Sequence, residues 1–326
     1  MAHILVTGAG GFIGGHLVSS LVADGNSVRA VDIKPFSEWY QVHDSVDNVV
    51  ADLSDSDNCI SATRDIENVY NLAADMGGMG FIEAHKADCM LSVLINTNML
   101  KASKDNGISK YFYSSSACVY SAAKQTNQNV TALKEEDAYP AEPEDGYGWE
   151  KLFSERMCRH FYEDFGLETR VARYHNVYGP LGTFYGGREK APAAICRKVA
   201  FAKKSKANSI EIWGDGEQTR SFMYIDDCIY GSKLLFESLF REPINIGSSE
   251  LVSINQMVEM VESIAGIKLE RIHDLSAPQG VRGRNSDNTL IKKNFGWEPS
   301  ISLLTGLEKT YKWIYDNLDE YEETLK

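Results

Sequence analysis

Across residues 1–175, short runs of β-branched and aromatic residues alternate with longer stretches whose apolar positions recur at helical spacing. The runs His3–Thr7, Ser27–Asp32, Asn48–Asp52, Asn68–Ala74, Tyr111–Ser114 and Thr169–Tyr174 are expected strands, and Phe12–Asp24, Lys86–Asn106 and Tyr147–Phe165 are expected helices. Gly25, Gly107 and Gly166 stand where left-handed residues end helices. Strand and helix alternating in this way are repeated βα units, so the pattern predicts an α/β fold built on a doubly wound parallel Rossmann sheet.

After Tyr174 the rhythm changes. A glycine-rich segment (Gly179, Gly182, Gly186, Gly187) leads to a basic helix over Ala191–Lys206 and a strand over Ile210–Trp213. Pro243–Ile246 reads as a return to the sheet, and Ser253 with Gln256 forms a capping box for the helix that follows. The expected organisation is therefore discontinuous: residues 1–175 and 222–250 form the Rossmann domain, and 176–221 and 251–326 a second, smaller mixed α/β domain.

Composition narrows the partners. Of 326 residues, 43% are apolar and 24% charged, as in soluble globular proteins. The 33 basic and 46 acidic residues leave a net charge of −13, which repels nucleic acid and anionic membrane surfaces, so neither is an expected partner. An anionic small ligand must then be met by a local cluster of Arg and Lys. Cys59, Cys89, Cys118, Cys158, Cys196 and Cys228 are widely spaced, which predicts reduced thiols and no metal site. With no basic leader and no apolar run near the ~20 residues of a membrane span, a cytoplasmic protein is expected.

The first turn carries chemistry. Thr7-Gly8-Ala9-Gly10-Gly11-Phe12-Ile13-Gly14 follows the first strand and opens the first helix, with Gly8, Gly11 and Gly14 at three-residue intervals. Such glycines allow a tight turn, backbone contact with a pyrophosphate and close helix–strand packing. Asp32 ends the second strand, at about the ~20-residue distance where a carboxylate meets the adenosine ribose. Its charge opposes the extra phosphate of NADP, so NAD is the expected cofactor, although Lys34 acts in the opposite sense. Asp52, closing the third strand, is either an adenine contact or a helix cap.

Tyr147 and Lys151 lie at i and i+4 on one helix face, where an ammonium would stabilise phenolate and make Tyr147 an acid/base. Upstream, Ser114-Ser115-Ser116-Ala117-Cys118-Val119-Tyr120 leaves the fifth strand at the carboxyl end of the sheet. The glycine turn, serine run and Tyr-x-x-x-Lys pair, in that order, resemble the extended short-chain dehydrogenases/reductases that act on nucleotide sugars. The resemblance implies Ser116 as the hydroxyl that hydrogen-bonds the reacting oxygen, Tyr147 as the acid/base and Lys151 as its activator, with Gly8, Gly11, Phe12, Ile13, Gly14, Asp32, Asp52, Tyr147 and Lys151 around the NAD.

Further motifs sharpen it: Asn71–Gly80, Ser116-Ala117-Cys118, Gly186–Pro192, Trp213–Gly216, Gln218–Ser221 and Val281–Asn288 are similar to the branch that inverts C3 and C5 of GDP-mannose. That branch makes GDP-L-galactose, with GDP-L-gulose as by-product. The resemblance implies Cys118 as the base beside a transient C4 ketone and Lys190 as the acid on the other face. It also implies substrate contacts from Gly77, Ser116, Asn176, Glu189, Lys190, Ala191, Lys198, Gln218, Thr219, Arg220 and Arg284, and a homodimer. Lys198, Arg220 and Arg284 would be the local basic cluster for a diphosphate, with Arg282 competing for the place of Arg284. His175, Trp213 and Trp297 read as structural. The chain departs from the branch at Ser121-Ala122, where Pro-Glu is usual, and in a longer Val199–Ile212 segment. A nucleotide-sugar 4-epimerase or 4,6-dehydratase, and a non-catalytic NAD(H) sensor, remain the alternative readings.

Overall fold

The computed structural model describes residues 3–324. β1 (His3–Thr7) runs through the glycine turn into α1 (Phe12–Ala23). There follow β2 (Ser27–Asp32), β3 (Asp47–Val50), α2 (Ser56–Ala62), β4 (Asn68–Asn71), α3 (Met79–Ala84), α4 (Lys86–Asp105), β5 (Lys110–Ser116), α5 (Asp145–Phe165) and β6 (Glu168–Tyr174). The remainder comprises β7 (Val177–Tyr178), α6 (Ala191–Ser205), β8 (Ser209–Trp213), β9 (Thr219–Ser221), β10 (Met223–Tyr224), α7 (Ile225–Glu237), β11 (Ile244–Ile246), β12 (Leu251–Ser253), α8 (Ile254–Ala265), β13 (Glu270–Asp274), β14 (Gly283–Arg284), α9 (Thr289–Phe295) and α10 (Leu303–Thr324).

Seven strands form one sheet in the order β11-β6-β5-β4-β1-β2-β3, every neighbouring pair parallel. The order reverses at β1 and β4, and a doubly wound sheet opens its ligand crevice at the carboxyl ends of the strands where this happens. Leu5, Val6, Val69, Tyr70, Tyr111 and Phe112 on these central strands are fully buried, because helices cover both faces. β11 returns to the sheet edge beside β6, as the Pro243–Ile246 run predicts.

Two strand ends differ from expectation in ways that shape the crevice. β4 stops at Asn71 rather than running to Ala74, because the amides of Leu72 and Ala73 turn to the Thr7 hydroxyl, each at 3.2 Å. β5 runs on to Ser116 and so delivers that hydroxyl to the crevice. Gly25, Gly107 and Gly166 take φ of 82°, 72° and 74°, the left-handed region in which glycine escapes a Cβ clash.

Beyond β6, smaller pieces assemble above the carboxyl edge: a three-stranded sheet β12-β9-β14, the pairs β13-β8 and β10-β7, and the mutually packed helices α6, α8 and α10. Ser253 and Gln256 do form the capping box of α8, each side chain bonding the other's backbone N–H at 3.1 and 2.8 Å. All six cysteines are unpaired and buried. Among the described residues no helix is long and apolar enough to cross a membrane, and no cluster of His, Cys, Asp or Glu could hold a metal ion.

Candidate active site

The glycine turn is built for close approach. A Cβ on Gly14 would lie 2.1 Å from the Gly8 carbonyl oxygen, and one on Gly8 would lie 2.9 Å from the Leu72 carbonyl carbon. Gly11 caps α1 without any side-chain bond, so no cap side chain occupies the amides of its first turn, which begins at Phe12 and Ile13. Asp32 is buried beside them, its two oxygens accepting from the Gly10 and Lys34 N–H groups at 3.0 Å each. That geometry leaves further lone pairs on the carboxylate and fits a dinucleotide whose ribose hydroxyls need an acceptor. Lys34 turns its ammonium back onto the Gly10 carbonyl at 2.8 Å. Asp52 lies past the end of β3, is exposed, and accepts from the Ser54 N–H at 2.8 Å, closing the turn into α2.

At the other side of the crevice α5 grazes the loop after β5. Gly148 passes so near that a Cβ would sit 2.3 Å from the Cys118 carbonyl oxygen, and the Glu144 N–H donates to that same oxygen at 2.9 Å. This contact brings Tyr147 into one buried cluster with Cys118, Cys89 and Ile82. Ser116 lies beside both groups: its Oγ accepts from the Cys118 N–H at 3.2 Å, and its hydroxyl opposes the rise of the Tyr147 phenol.

Lys151 behaves differently from the expectation. Its Nζ donates to Tyr113 Oη at 3.2 Å, pairs with Glu150 Oε2 at 3.5 Å and lies 5.4 Å from the centre of the Tyr147 ring. Burial, followed by the neighbouring Cys118 and Glu150, pushes the Tyr147 phenol well above its ordinary value rather than toward neutrality. Desolvation of the phenolate outweighs the ammonium here because Glu150 partly cancels that ammonium's charge. Burial likewise raises the Cys118 thiol, with Glu144 adding to the rise and Arg284 opposing it. Lys190, at the N-cap of α6, is pushed below the usual lysine range by burial, with Cys118 the largest opposing influence.

The loop holding Lys190 is clasped to the loop after β4. The Gly78 N–H donates to the Arg188 carbonyl at 3.0 Å, and a Cβ on Gly78 would strike the Glu189 carbonyl oxygen at 2.6 Å. Gly77 packs against Phe81. Glu189 is taken by Arg197 at 3.1 Å, and Ala191 begins α6.

The proposed basic cluster divides in two. The register of β9 and β14 sets Arg220 opposite Arg284, both buried, with Thr219 beside Gly283. Arg220 donates to the Thr219 and Val281 carbonyls at 2.8 and 2.5 Å, and burial, aided by Arg284, lowers it to about 10. Lys198 is instead engaged with Glu211, its Nζ 2.9 Å from the backbone oxygen, and lies over the Trp213 ring at 5.9 Å. Trp213 is exposed, contrary to its reading as a packing residue, because β8 lies at the edge of a two-stranded sheet; Gln218 bonds its carbonyl at 2.9 Å. Asn176 ties β7 to the Ser221 carbonyl at 3.0 Å. Arg282 is held by Asp215 through two bonds of 2.8 Å, so Arg284 alone of that competing pair reaches Cys118. Three residues at the site have no counterpart in the sequence reading: Tyr113 and Glu150, which hold Lys151, and Glu144, which meets Arg284. Only the Glu144–Tyr147 spacing, one helical turn, hinted at any of them.

The model of the NAD dependent epimerase/dehydratase family matches residues 4–247. GDP-mannose 3,5-epimerase 1 of Oryza sativa subsp. indica is 49% identical over 98% of this chain and 83% of its own length. GDP-mannose 3,5-epimerase of Arabidopsis thaliana is 48% identical over 97% of this chain and 83% of its own. Among solved structures, UDP-glucose 4-epimerase from Thermotoga maritima, with UDP-glucose, superposes with a TM-score of 0.86 at 26% identity, covering 99% of this chain and 100% of that one. UDP-glucuronic acid 4-epimerase from Bacillus cereus, solved with UDP-glucuronic acid and NAD, gives 0.81 at 28% identity over 96% and 99%. The glycine turn with Asp32, the Ser116–Tyr147–Lys151 geometry and a match through residue 247 agree, and the chain belongs to the NAD-dependent epimerase/dehydratase family.

Proposed function

We propose that this chain converts GDP-D-mannose to GDP-L-galactose, with GDP-L-gulose, the C5 epimer, as a second product. The observation that carries the reading is the gathering of Ser116, Cys118 and Tyr147 at one point, with Lys190 near enough to respond to the thiol's charge, in a chain 49% identical to a GDP-mannose 3,5-epimerase. Gly8, Gly11, Phe12, Ile13, Gly14, Asp32 and Asp52 would hold NAD, which when bound would supply a hydride acceptor and donor for C4, so no second redox substrate would be needed.

Tyr147 takes the proton from the C4 hydroxyl while Ser116 hydrogen-bonds the same oxygen. Lys151, fixed by Tyr113 and Glu150, keeps a cation against the Tyr147 ring and so supports the phenolate that burial disfavours. A ketone at C4 acidifies the C–H bonds on both sides, and Cys118 removes a proton from C3 or C5. Lys190 returns a proton from the opposite face; its lowered basicity suits a donor. Arg220 and Arg284 are assigned to the diphosphate that a chain of net charge −13 would otherwise repel, Arg284 through a guanidinium that also bonds Gln125, Cys118 and Glu144. Gly77, Asn176, Glu189, Ala191, Lys198, Gln218 and Thr219 complete the substrate contacts.

The substrate side is assigned to residues 176–221 and 251–326, and the NAD side to 1–175 and 222–250. We also assign a homodimer, supported by the exposed apolar side chains of Met90, Leu91, Leu94, Trp149 and Phe153 on the packed helices α4 and α5. A cytoplasmic location is supported by six unpaired cysteines.

Incubation with GDP-mannose in deuterated water, followed by NMR of the sugar, tests the reaction. Deuterium at C3 and C5 with inversion at both centres is expected. A product inverted only at C4, or one that has lost water, would place the chain with the 4-epimerases or the dehydratases instead.

A further inference from the structure

Arg284 spans the Cys118 pocket. Its Nη1 donates to Cys118 Sγ at 3.7 Å, its Nη2 to Glu144 Oε1, and its Nε to Gln125 Oε1 at 2.6 Å. Glu144 is fixed at the same place from below, because its N–H bonds the Cys118 carbonyl and its own carbonyl accepts from the Gly148 N–H at 2.8 Å. Its carboxylate meets the same guanidinium that bonds the thiol, and its charge raises the thiol. A buried guanidinium thus joins a buried thiol to a carboxylate that is 13% exposed.

A buried cation beside a cysteine ordinarily draws out the thiolate. Here that cation is already paired. The charges of Arg284 and Glu144 cancel, so ionising Cys118 would place a second anion against Glu144 in a medium of low dielectric. The other groups facing the thiol are the neutral phenol of Tyr147 from α5, Lys190 from the start of α6 and Arg220 from β9. None of these three hydrogen-bonds the sulfur, whereas Arg284 does, at 3.7 Å.

We propose that Glu144 is a positioning residue for proton abstraction: it holds Arg284 against Cys118 and, by occupying the guanidinium's charge, keeps Cys118 a thiol in the resting site. The inference rests on Cys118 being the base. A base held as a thiol resists alkylation and oxidation between turnovers; it becomes a thiolate when its proton passes to solvent water and Arg284 turns its charge from Glu144 toward the sulfur.

Thiolate absorbance at 240 nm, titrated in the full chain with NAD bound and with Cys118→Ser as the blank, reads this directly. In Glu144→Gln the midpoint of Cys118 is expected to fall by about one pH unit or more, giving about tenfold more thiolate at any pH below both midpoints. Glu144→Ala, which removes the same charge without adding an amide, should shift the same way and serves if the first variant does not fold. The acid limb of deuterium incorporation into GDP-mannose should move to lower pH with it. A midpoint unchanged or raised in the folded variant overturns the proposal. Wild-type turnover by Cys118→Ser would instead overturn the reading of Cys118 as base, a result the titration of Glu144→Gln does not share.

Discussion

Replacing Glu155 by glutamine is expected to cost about 3–5 kcal/mol of stability, the range for stranding one member of a buried ion pair. Arg173 Nε and Nη2 donate to the two oxygens of Glu155 at 2.9 and 2.7 Å, and both side chains are 2% exposed. Ser115 Oγ donates to the same carboxylate at 2.5 Å, so the pair ties α5 to β5 and β6 directly behind Ser116. In the glutamine variant an amide NH2 must face the guanidinium, and Arg173 cannot shed its proton to escape. Beside the one amide oxygen that is left, the Glu135 carbonyl at 2.7 Å and Tyr120 Oη at 3.3 Å remain for it, and no anion does. Urea unfolding of the wild type, Glu155→Gln and the double variant Glu155→Leu with Arg173→Met measures this. The double variant should regain most of the loss, because an apolar replacement leaves no buried charge unpaired. A single-variant loss below about 1 kcal/mol, or a double variant less stable than the single, would refute the reasoning.

Tyr147→Phe should lower turnover at least ~10²-fold while leaving nucleotide-sugar affinity intact, and near-normal turnover would assign the C4 proton to another group. Gly14→Ala drives a Cβ to 2.1 Å from the Gly8 carbonyl, so the purified variant should carry little NAD; cofactor released on denaturation in wild-type amount would contradict the cradle. His175 is buried, with Nε2 2.9 Å from Asn245 Oδ1, and burial lowers it from 6.5 to about 3. The unfolded chain binds the extra proton across that window, so its contribution is complete above pH 6.5 and is lost as pH falls toward 3, by up to about 1.4 kcal/mol per unit. His175→Gln should flatten that slope in urea midpoints, and an unaltered slope would show that other groups set it.

The sheet strands, the glycine turn with Asp32, the Tyr147–Lys151 pair and the helix-ending glycines were all legible in the sequence. Each rests on a local rule: apolar period, turn sterics, or side chains one helical turn apart. Strand ends were less legible, since β4 stops at Asn71 only because Thr7, far away in the chain, captures the next two amides.

What the tertiary structure alone decided is which distant groups meet. Arg282 and Arg284 are equivalent by type and spacing, yet Asp215 takes the first and the β9–β14 register sends the second to Cys118. The sense of the Tyr147 shift also lay outside local reading. An i,i+4 ammonium predicts a lowered phenol, but burial, then Cys118 and Glu150, reverse it, and all depend on what the fold packs around the pair. Periodicity and turn chemistry act between near neighbours and so are written along the chain. Desolvation and charge pairing act through space, and only the folded arrangement sets their sign.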